Sequence, residues 1–270
     1  MRELLIRTIS GVAFVGIVLA CIFISPWTFA ALALFVIAVG TFEMARLFKM
    51  DTLSSLIVGE GIVVSAFLLA TLVGLSVIPA RFLCLELPLL TTPFLFALFS
   101  KKHKAKEILS FVYASVSYLA MPMSLMLFFY RGDLFGSKAG PLLLLLVFAL
   151  LWVNDIFAYL SGRLLGKHKL FPRISPGKTI EGSIGGLVFT ALTIAILSHY
   201  FDWMSVPVAI GLASIAVVFG TLGDLSESML KRQAGVKDSG KLIPGHGGIL
   251  DRFDSVLFSV PFIFVYLLLL

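Results

Sequence analysis

The sequence predicts an all-α fold: a polytopic integral membrane helix bundle of about nine transmembrane helices, with its N-terminus in the cytoplasm. Three observations carry this reading. Hydrophobic residues fill 59% of the 270 positions and charged residues only 13%, against about 25% charged in a soluble domain. Mean hydropathy is +1.06, and apolar runs approaching the ~20 residues that span a hydrocarbon core recur along the chain. Lys and Arg gather in alternate connections between those runs, as the positive-inside rule requires of cytoplasmic segments.

The first span runs from about Ile9 to Ile24, and Pro26 ends it. No small-residue cleavage site follows it, so it reads as a retained span rather than a signal peptide. The second runs from Trp27 to Phe48, with Glu43 and Arg46 near its end, and the third from Leu56 to Ile78, with Glu60 near its start. A fourth, Arg81 to Phe99, is interrupted by Glu86, Pro88 and Pro93; Glu60 and Glu86 have no account in the sequence. The basic block Lys101-Lys102-His103-Lys104-Ala105-Lys106 follows and reads as a topology and lipid-headgroup determinant.

The fifth span, Ile108 to Tyr130, carries Pro122 as a kink. The sixth is Pro141 to Leu160, the seventh Ser183 to Tyr200, and the eighth Val206 to Leu225. A ninth counted from Ser255 to Leu270 would be only about 24 Å long at 1.5 Å per residue. Started near Gly248 it is long enough, and then carries Asp251 and Asp254 on its first turns. With nine spans and a cytoplasmic N-terminus, 18 of the 21 Lys and Arg fall inside, and only Arg81, Arg131 and Lys138 outside. Loops 161–182 and 226–250 then share the cytoplasmic side.

The net charge of +6 accords with those loops and with anionic lipid headgroups. No basic stripe interleaved with aromatics lies outside the loops, so nucleic acid is excluded as a partner. Cys21 and Cys84 sit in apolar runs without partner spacing and read as small hydrophobes. No internal repeat of the transporter kind is present. The chain divides into N-terminal spans (1–80), middle spans (81–140) and a C-terminal, chemistry-bearing part (141–270).

The chemistry concentrates in residues 224–254. Asp224, Glu227, Asp238, Asp251 and Asp254 fall there with Lys231, Arg232, Lys237, Lys241, Arg252 and His246, around Pro244-Gly245-His246-Gly247-Gly248. Clustered carboxylates suit a hard cation such as Mg²⁺; clustered Lys and Arg suit phosphate. Asp251 and Asp254, three apart, share one helix face. A second group begins inside the sixth span with Asn154 and Asp155, and an ionisable residue at that depth marks a functional site. It continues through Tyr159, Arg163, Lys167 and His168 to Ser175-Pro176-Gly177-Lys178-Thr179-Ile180-Glu181-Gly182. Gly177-Lys178-Thr179 is not a Walker motif, because position 172 is Pro where that motif needs Gly. The bland readings are an ion-pair partner for Asp155, a brace for the glycine turn at His246, and interfacial residues at His103, His168 and His199.

The first run matches S-x-x-K-R-x4-K-D-x-G-x-x-[I/L]-P-G-H-G-G-[I/L/V/M/F]-x-D-R-[F/L/M]-D without departure, from Ser228 to Asp254. The second matches N-D-x-F-A-Y-x-x-G-[R/K]-x-x-G followed by S-P-[G/K]-K-T-x-E-G. Over roughly 150–256 the sequence therefore resembles the phosphatidate cytidylyltransferases, or CDP-diacylglycerol synthases; its N-terminal half resembles them only as hydrophobic spans. The resemblance implies a nucleotidyltransferase of phospholipid biosynthesis, in the cytoplasmic membrane if the source is bacterial. CTP and phosphatidate would give CDP-diacylglycerol and pyrophosphate with Mg²⁺, and with a second cation such as K⁺. The expected metal ligands are Asp224, Asp251 and Asp254, with Asp155 completing the set; Lys237 and Asp238 join the catalytic group. Asn154, Asp155, Arg163, Lys167, Ser175, Lys178, Ser228, Lys231, Arg232, His246 and Arg252 are the expected substrate contacts. Membrane lipids surround the chain, and the family's dimeric habit implies a homodimer with contacts in 81–140. The alternatives are a cytidylyltransferase for another lipid phosphate and a membrane transporter. The CDP-alcohol phosphotransferases are excluded by the absence of their D-G-x-x-A-R run.

Overall fold

The computed structural model describes residues 2–50, 53–100, 105–136, 139–201 and 204–270. Lys101, Lys102, His103, Lys104 and Lys138, weighed above for topology, lie outside the described residues. Among the described residues, eight helical stretches are long and apolar enough to cross a membrane. They are α1 (Arg2–Ile24), α2 (Pro26–Leu47), α3 (Leu53–Gly74), α4 (Glu86–Phe99, entered through a 3₁₀ turn Ala80–Leu85), the pair α5 (Ala105–Ser115) and α6 (Met121–Phe128), then α8 (Pro141–Leu165), α9 (Ile180–Phe201) and α10 (Val206–Ala234). A one-turn α7 (Gly132–Phe135) precedes α8. The last helix, α11 (Leu250–Leu268), falls where the ninth span was expected and has 19 residues, about 28 Å at 1.5 Å each. It opens with Asp251, Arg252 and Asp254, so it starts at the longer of the two boundaries the sequence allowed.

Local chemistry sets the helix ends. Ser25 caps α2 by accepting from the Thr28 amide while the Thr28 hydroxyl accepts from the Ser25 amide, and Pro26 fills the first helical position. Pro122 has no N–H to give the Tyr118 carbonyl, and a π turn over Val116–Ala120 joins α5 to α6 just before it. Two boundaries differ from the sequence reading. The helix expected to stop at Leu225 continues to Ala234, because Glu227 and Lys231 pair along it and their face is buried rather than solvated. Gly235, at φ 78°, then ends it. The cytoplasmic loop expected over 161–182 is mostly regular: α8 runs to Leu165, and an antiparallel hairpin of β1 (Lys169–Phe171) and β2 (Ser175–Thr179) leads into α9.

One hydrophobic core joins nearly every helix, from Val18 and Phe29 to Phe253 and Ile263. Outward faces are apolar as well: Ile9, Val12, Phe35, Phe94, Leu98, Ile184 and Leu192 are all exposed, as expected where lipid is the solvent. Glycines let the C-terminal helices approach closely. A Cβ on Gly223 of α10 would stand 2.6 Å from the Asp254 carbonyl of α11, and one on Gly186 of α9 would stand 2.3 Å from Asn154 Oδ1 of α8. Glu60 and Glu86 each bury a carboxylate oxygen without a partner among the described residues; nothing in the fold explains them.

The connections gather at two ends of the bundle. At one end Ser10 of α1 meets His246, Glu43 of α2 meets Leu250, and Lys178 of β2 meets Asp224 of α10. At the other end Tyr130 reaches the Ile22 carbonyl and Arg131 the Val73 carbonyl.

Candidate active site

The Pro244–Gly248 turn is shaped by its glycines: Gly245 and Gly247 have φ of 75° and 84°, in the region only glycine enters without strain. The Ile243 amide donates to the Gly247 carbonyl (3.0 Å) and the His246 amide to the Ile243 carbonyl (2.9 Å). The turn delivers the chain to the first two turns of α11, where Asp251 and Asp254 stand.

A buried ionic brace holds that junction. Lys231 pairs with Glu227 one turn before it on α10 and donates to Asp251 Oδ1 at 2.6 Å. Asp251 Oδ2 accepts from the Ser239 amide and hydroxyl, both at 3.0 Å, and from the Gly248 amide at 2.8 Å. Asp251 is thereby committed to Lys231 and two backbone amides, and shares the single Ser239 hydroxyl proton with Glu43. Glu43 of α2 sits beneath, 3% exposed. Its carboxylate accepts from the Ile249 and Leu250 amides at 3.0 Å each and from the Ser239 hydroxyl at 2.7 Å. Those are the unpaired donors of a helix N-terminus, which favours negative charge.

Around this brace lie three cavities. The first, about 470 Å³, opens between α8, α9, α10 and the hairpin, and is lined by Asn154, Asp155, Arg163, Ser175, Lys178 and Asp224. Lys178 pairs with Asp224 Oδ2 at 2.5 Å, and the Ser228 hydroxyl donates to Asp224 Oδ1 at 3.2 Å. Arg163 donates to the Tyr159 hydroxyl at 3.3 Å. The second, about 510 Å³, lies at the glycine turn among Arg7, Lys237, Asp238, Lys241, His246 and Arg252. The third, about 290 Å³, lies between α1, α8 and α11, with Phe14, Leu151 and Trp152 as apolar walls and Asp155, Asp251, Asp254 and Arg252 as polar ones. Asp155 and Ser255 line both the first and the third; Ile243, His246 and Arg252 line both the second and the third. The three cavities therefore form a chain with Asp155 at one junction and Arg252 at the other.

Most residues expected from the sequence converge on these cavities. Ser228 and Lys231 do not face them but are buried just behind, holding Asp224 and Asp251. Two expected substrate contacts are placed elsewhere. Arg232 donates to the Val236 carbonyl at 3.0 Å, closing the end of α10, because its position turns away from the face that Ser228 and Lys231 share. Lys167 is exposed on the α8–β1 connection, where its amide donates to Glu181. No part in the site was legible in the sequence for Glu43, Arg7, Ser10 or Tyr118, whose hydroxyl lies 3.4 Å from the Asp254 carbonyl. An acid inside an apolar span was the available signal for Glu43.

Asp155, Asp224 and Asp254 lie within electrostatic range of one another. Their donor set is all hard oxygen, which is the chemistry of a Mg²⁺ site. Among the described residues no three His, Cys, Asp or Glu side chains converge tightly enough to hold an ion by themselves, and Asp251, expected among the ligands, is taken by Lys231.

Comparison with known proteins follows the same lines. The chain is 44% identical over 160 residues to the phosphatidate cytidylyltransferase of Staphylococcus aureus (strain COL), covering 59% of each chain. It is 48% identical over 126 residues to that of Staphylococcus haemolyticus (strain JCSC1435), covering 46% of this chain and 48% of the relative. The matched region thus spans about three-fifths or less of these relatives' length. The sequence pattern of the Cytidylyltransferase family reaches further, matching residues 5–270, so both signature segments, the glycine turn and the helices that carry them fall inside one match: this chain belongs to the cytidylyltransferase family.

Proposed function

We propose that the protein transfers the cytidylyl group of CTP to phosphatidate, forming CDP-diacylglycerol and pyrophosphate at the cytoplasmic face of the membrane. The observation that carries the reading is the junction at Asp155. Two cavities with different walls meet there: one carries Arg163 and Lys178 together with Asp155 and Asp224, the other sets an apolar wall of Phe14, Leu151 and Trp152 beside Asp155, Asp251 and Asp254. A transfer between a nucleotide and a lipid needs two such seats and one shared point of contact.

The chemistry asks little of a base. A phosphate oxygen of phosphatidate, already anionic, forms a bond to the α-phosphorus of CTP. The bond from that phosphorus to the oxygen bridging to the β-phosphate breaks, and its electron pair leaves with pyrophosphate. The difficulty is bringing anions together and holding the charge that moves. Arg252, Lys178 and Arg163 neutralise phosphates, while Asn154 and Ser175 orient them. Asp224 and Asp254, with Asp155 beside them, would hold Mg²⁺, and a second cation such as K⁺ belongs to the same proposal. Asp251 would join them only by giving up Lys231, which Glu227 also holds. The bound cation would supply charge neutralisation across the nucleotide phosphates. Lys237 and Asp238 lie at the glycine turn, on the leaving-group side. The reading includes a homodimer with contacts in residues 81–140, which crosslinking in native membranes tests.

The direct experiment follows label from CTP into lipid, in liposomes containing phosphatidate and Mg²⁺, for wild type and Asp254→Asn. Product in wild type that disappears without Mg²⁺ and in the variant is the expected result. A folded wild type that releases no pyrophosphate with phosphatidate, but does so with another lipid phosphate, would replace the acceptor; one that releases none with any would end the enzyme reading.

A further inference from the structure

The first helix is part of the site. Arg7, Ser10 and Gly11 lie three and four positions apart on α1, hence on one face, and that face meets the glycine turn. The Ser10 hydroxyl is 3.0 Å from the Pro244 carbonyl oxygen and 3.0 Å from His246 Nδ1. A Cβ on Gly11 would stand 3.5 Å from the imidazole, and one on Gly245 would stand 2.7 Å from Arg7 Cγ. The Arg7 stem therefore lies over the turn, and Arg7 lines the cavity of about 510 Å³. A span needs only apolar residues, and a topology charge needs only to sit at the interface; neither requires this docking.

We propose that this cavity seats the pyrophosphoryl end of the nucleotide, as β- and γ-phosphates before transfer and as pyrophosphate after it, and that Arg7 is one of its ligands. The inference rests on the cytidylyl-transfer reading above. Arg7, Lys237, Lys241 and Arg252 face a single carboxylate, Asp238, a balance suited to a multiply charged anion. A lipid phosphate offers the same phosphoryl chemistry, but its acyl chains need apolar walls. This cavity has Ile243 and Pro244 as its only such side chains, whereas the neighbouring cavity has Phe14, Val15, Leu151 and Trp152. Arg252 and His246 line both, so the leaving group would be drawn past them from the reacting centre toward Arg7. As the bond to the bridging oxygen breaks, the charge gathering on pyrophosphate develops among these cations.

The test uses the whole chain in detergent–lipid micelles and reads three quantities: binding of inorganic pyrophosphate by calorimetry, its inhibition constant against CTP, and the KM of each substrate. Arg7→Gln weakens pyrophosphate binding and inhibition and raises the KM for CTP about tenfold, the worth of one charge-assisted hydrogen bond. The KM for phosphatidate stays within about twofold. Arg7→Lys retains most of the pyrophosphate binding, and Ser10→Ala, which releases the docking, moves in the direction of Arg7→Gln. Unchanged pyrophosphate binding in Arg7→Gln overturns the proposal, as does a rise confined to the KM for phosphatidate, or equal loss in Arg7→Gln and Arg7→Lys. A wild type that binds pyrophosphate through Arg7 yet makes no product from phosphatidate refutes the acceptor instead, and leaves the cavity standing.

Discussion

The Glu43 carboxylate accepts a hydrogen bond from the Leu250 backbone amide at 3.0 Å, joining the second span to the start of the last across 207 positions of sequence. The same carboxylate takes the Ile249 amide and the Ser239 hydroxyl, so one buried acid fixes where α11 begins. Where α11 begins decides where Asp251 and Asp254 stand. Removing Glu43 therefore acts on the site although Glu43 lines none of the three cavities. Glu43→Ala leaves the two buried amides of Ile249 and Leu250 unpaired at roughly 1–3 kcal/mol each before relaxation, and lowers the unfolding midpoint in detergent together with kcat. Glu43→Gln keeps an acceptor oxygen and loses less of both. Thermal unfolding and turnover measured on the same preparations check this; a Glu43→Ala protein with wild-type midpoint and kcat contradicts it.

Among the described residues Lys231 is the single cation between Glu227 and Asp251, whose side chains are 1% and 5% exposed. Lys231→Met would strand two acids in a low-dielectric interior, and breaking one partner out of such a group costs roughly 3–5 kcal/mol. The variant is expected to express poorly and to unfold at lower temperature. The double change Lys231→Met with Glu227→Leu removes one stranded acid and recovers part of the loss. Chemical or thermal denaturation of the single and double variants measures that recovery; its absence would mean that Glu227 is not the group Lys231 neutralises.

The charged half of this architecture was legible in the sequence because the chain is otherwise apolar. Five carboxylates within 31 positions have no packing reason to be there, and Asp155 inside a span is costly unless used. The glycine turn was legible for the same reason, since P-G-H-G-G has no place in a span. What was not legible depended on distant partners. Glu43 looks like any acid near a span end until the 244–250 segment folds over it. Arg7 looks like a topology charge until Ser10 docks on His246. The extension of α10 past Leu225 was hidden because S-E-S-M-L-K-R-Q-A reads as polar loop until its Glu227–Lys231 face is buried. The β1–β2 hairpin was hidden because three- and five-residue strands leave too short a pattern to read.

Gly223 sets the distance between α10 and α11. A Cβ there would meet both the Asp254 carbonyl and the Phe258 Cβ at 2.6 Å, closer than any relaxed contact. Gly223→Ala therefore pushes α11 away from Asp224, and overpacking of this kind costs about 1–3 kcal/mol. Because the neighbouring residue is Asp224, the expected kinetic signature is a fall in kcat greater than the fall in stability predicts. Gly16, with no atom within 4 Å of its built Cβ, is the control: Gly16→Ala should leave turnover and midpoint unchanged. Equal behaviour of the two variants would dissociate helix spacing from activity.

Among the described residues Asp155 is the one carboxylate lining both the first and the third cavity, and its carboxylate has only the Asn154 side chain near hydrogen-bonding distance, at 3.5 Å. It does little for the fold, unlike Asp251. Asp155→Asn preserves shape while removing one negative charge beside Asp224 and Asp254. Stability should change by less than about 1 kcal/mol, the usual scale where no buried partner is stranded. The Mg²⁺ concentration giving half-maximal rate should rise about tenfold or more, because one oxygen ligand loses its charge. Asp251→Asn should behave in the opposite way, losing stability through Lys231 and the Gly248 amide whatever its effect on metal. Metal titrations of turnover and unfolding curves for both variants separate the two roles. An Asp155→Asn protein with an unchanged Mg²⁺ requirement would remove Asp155 from the cation site and return that position to Asp251.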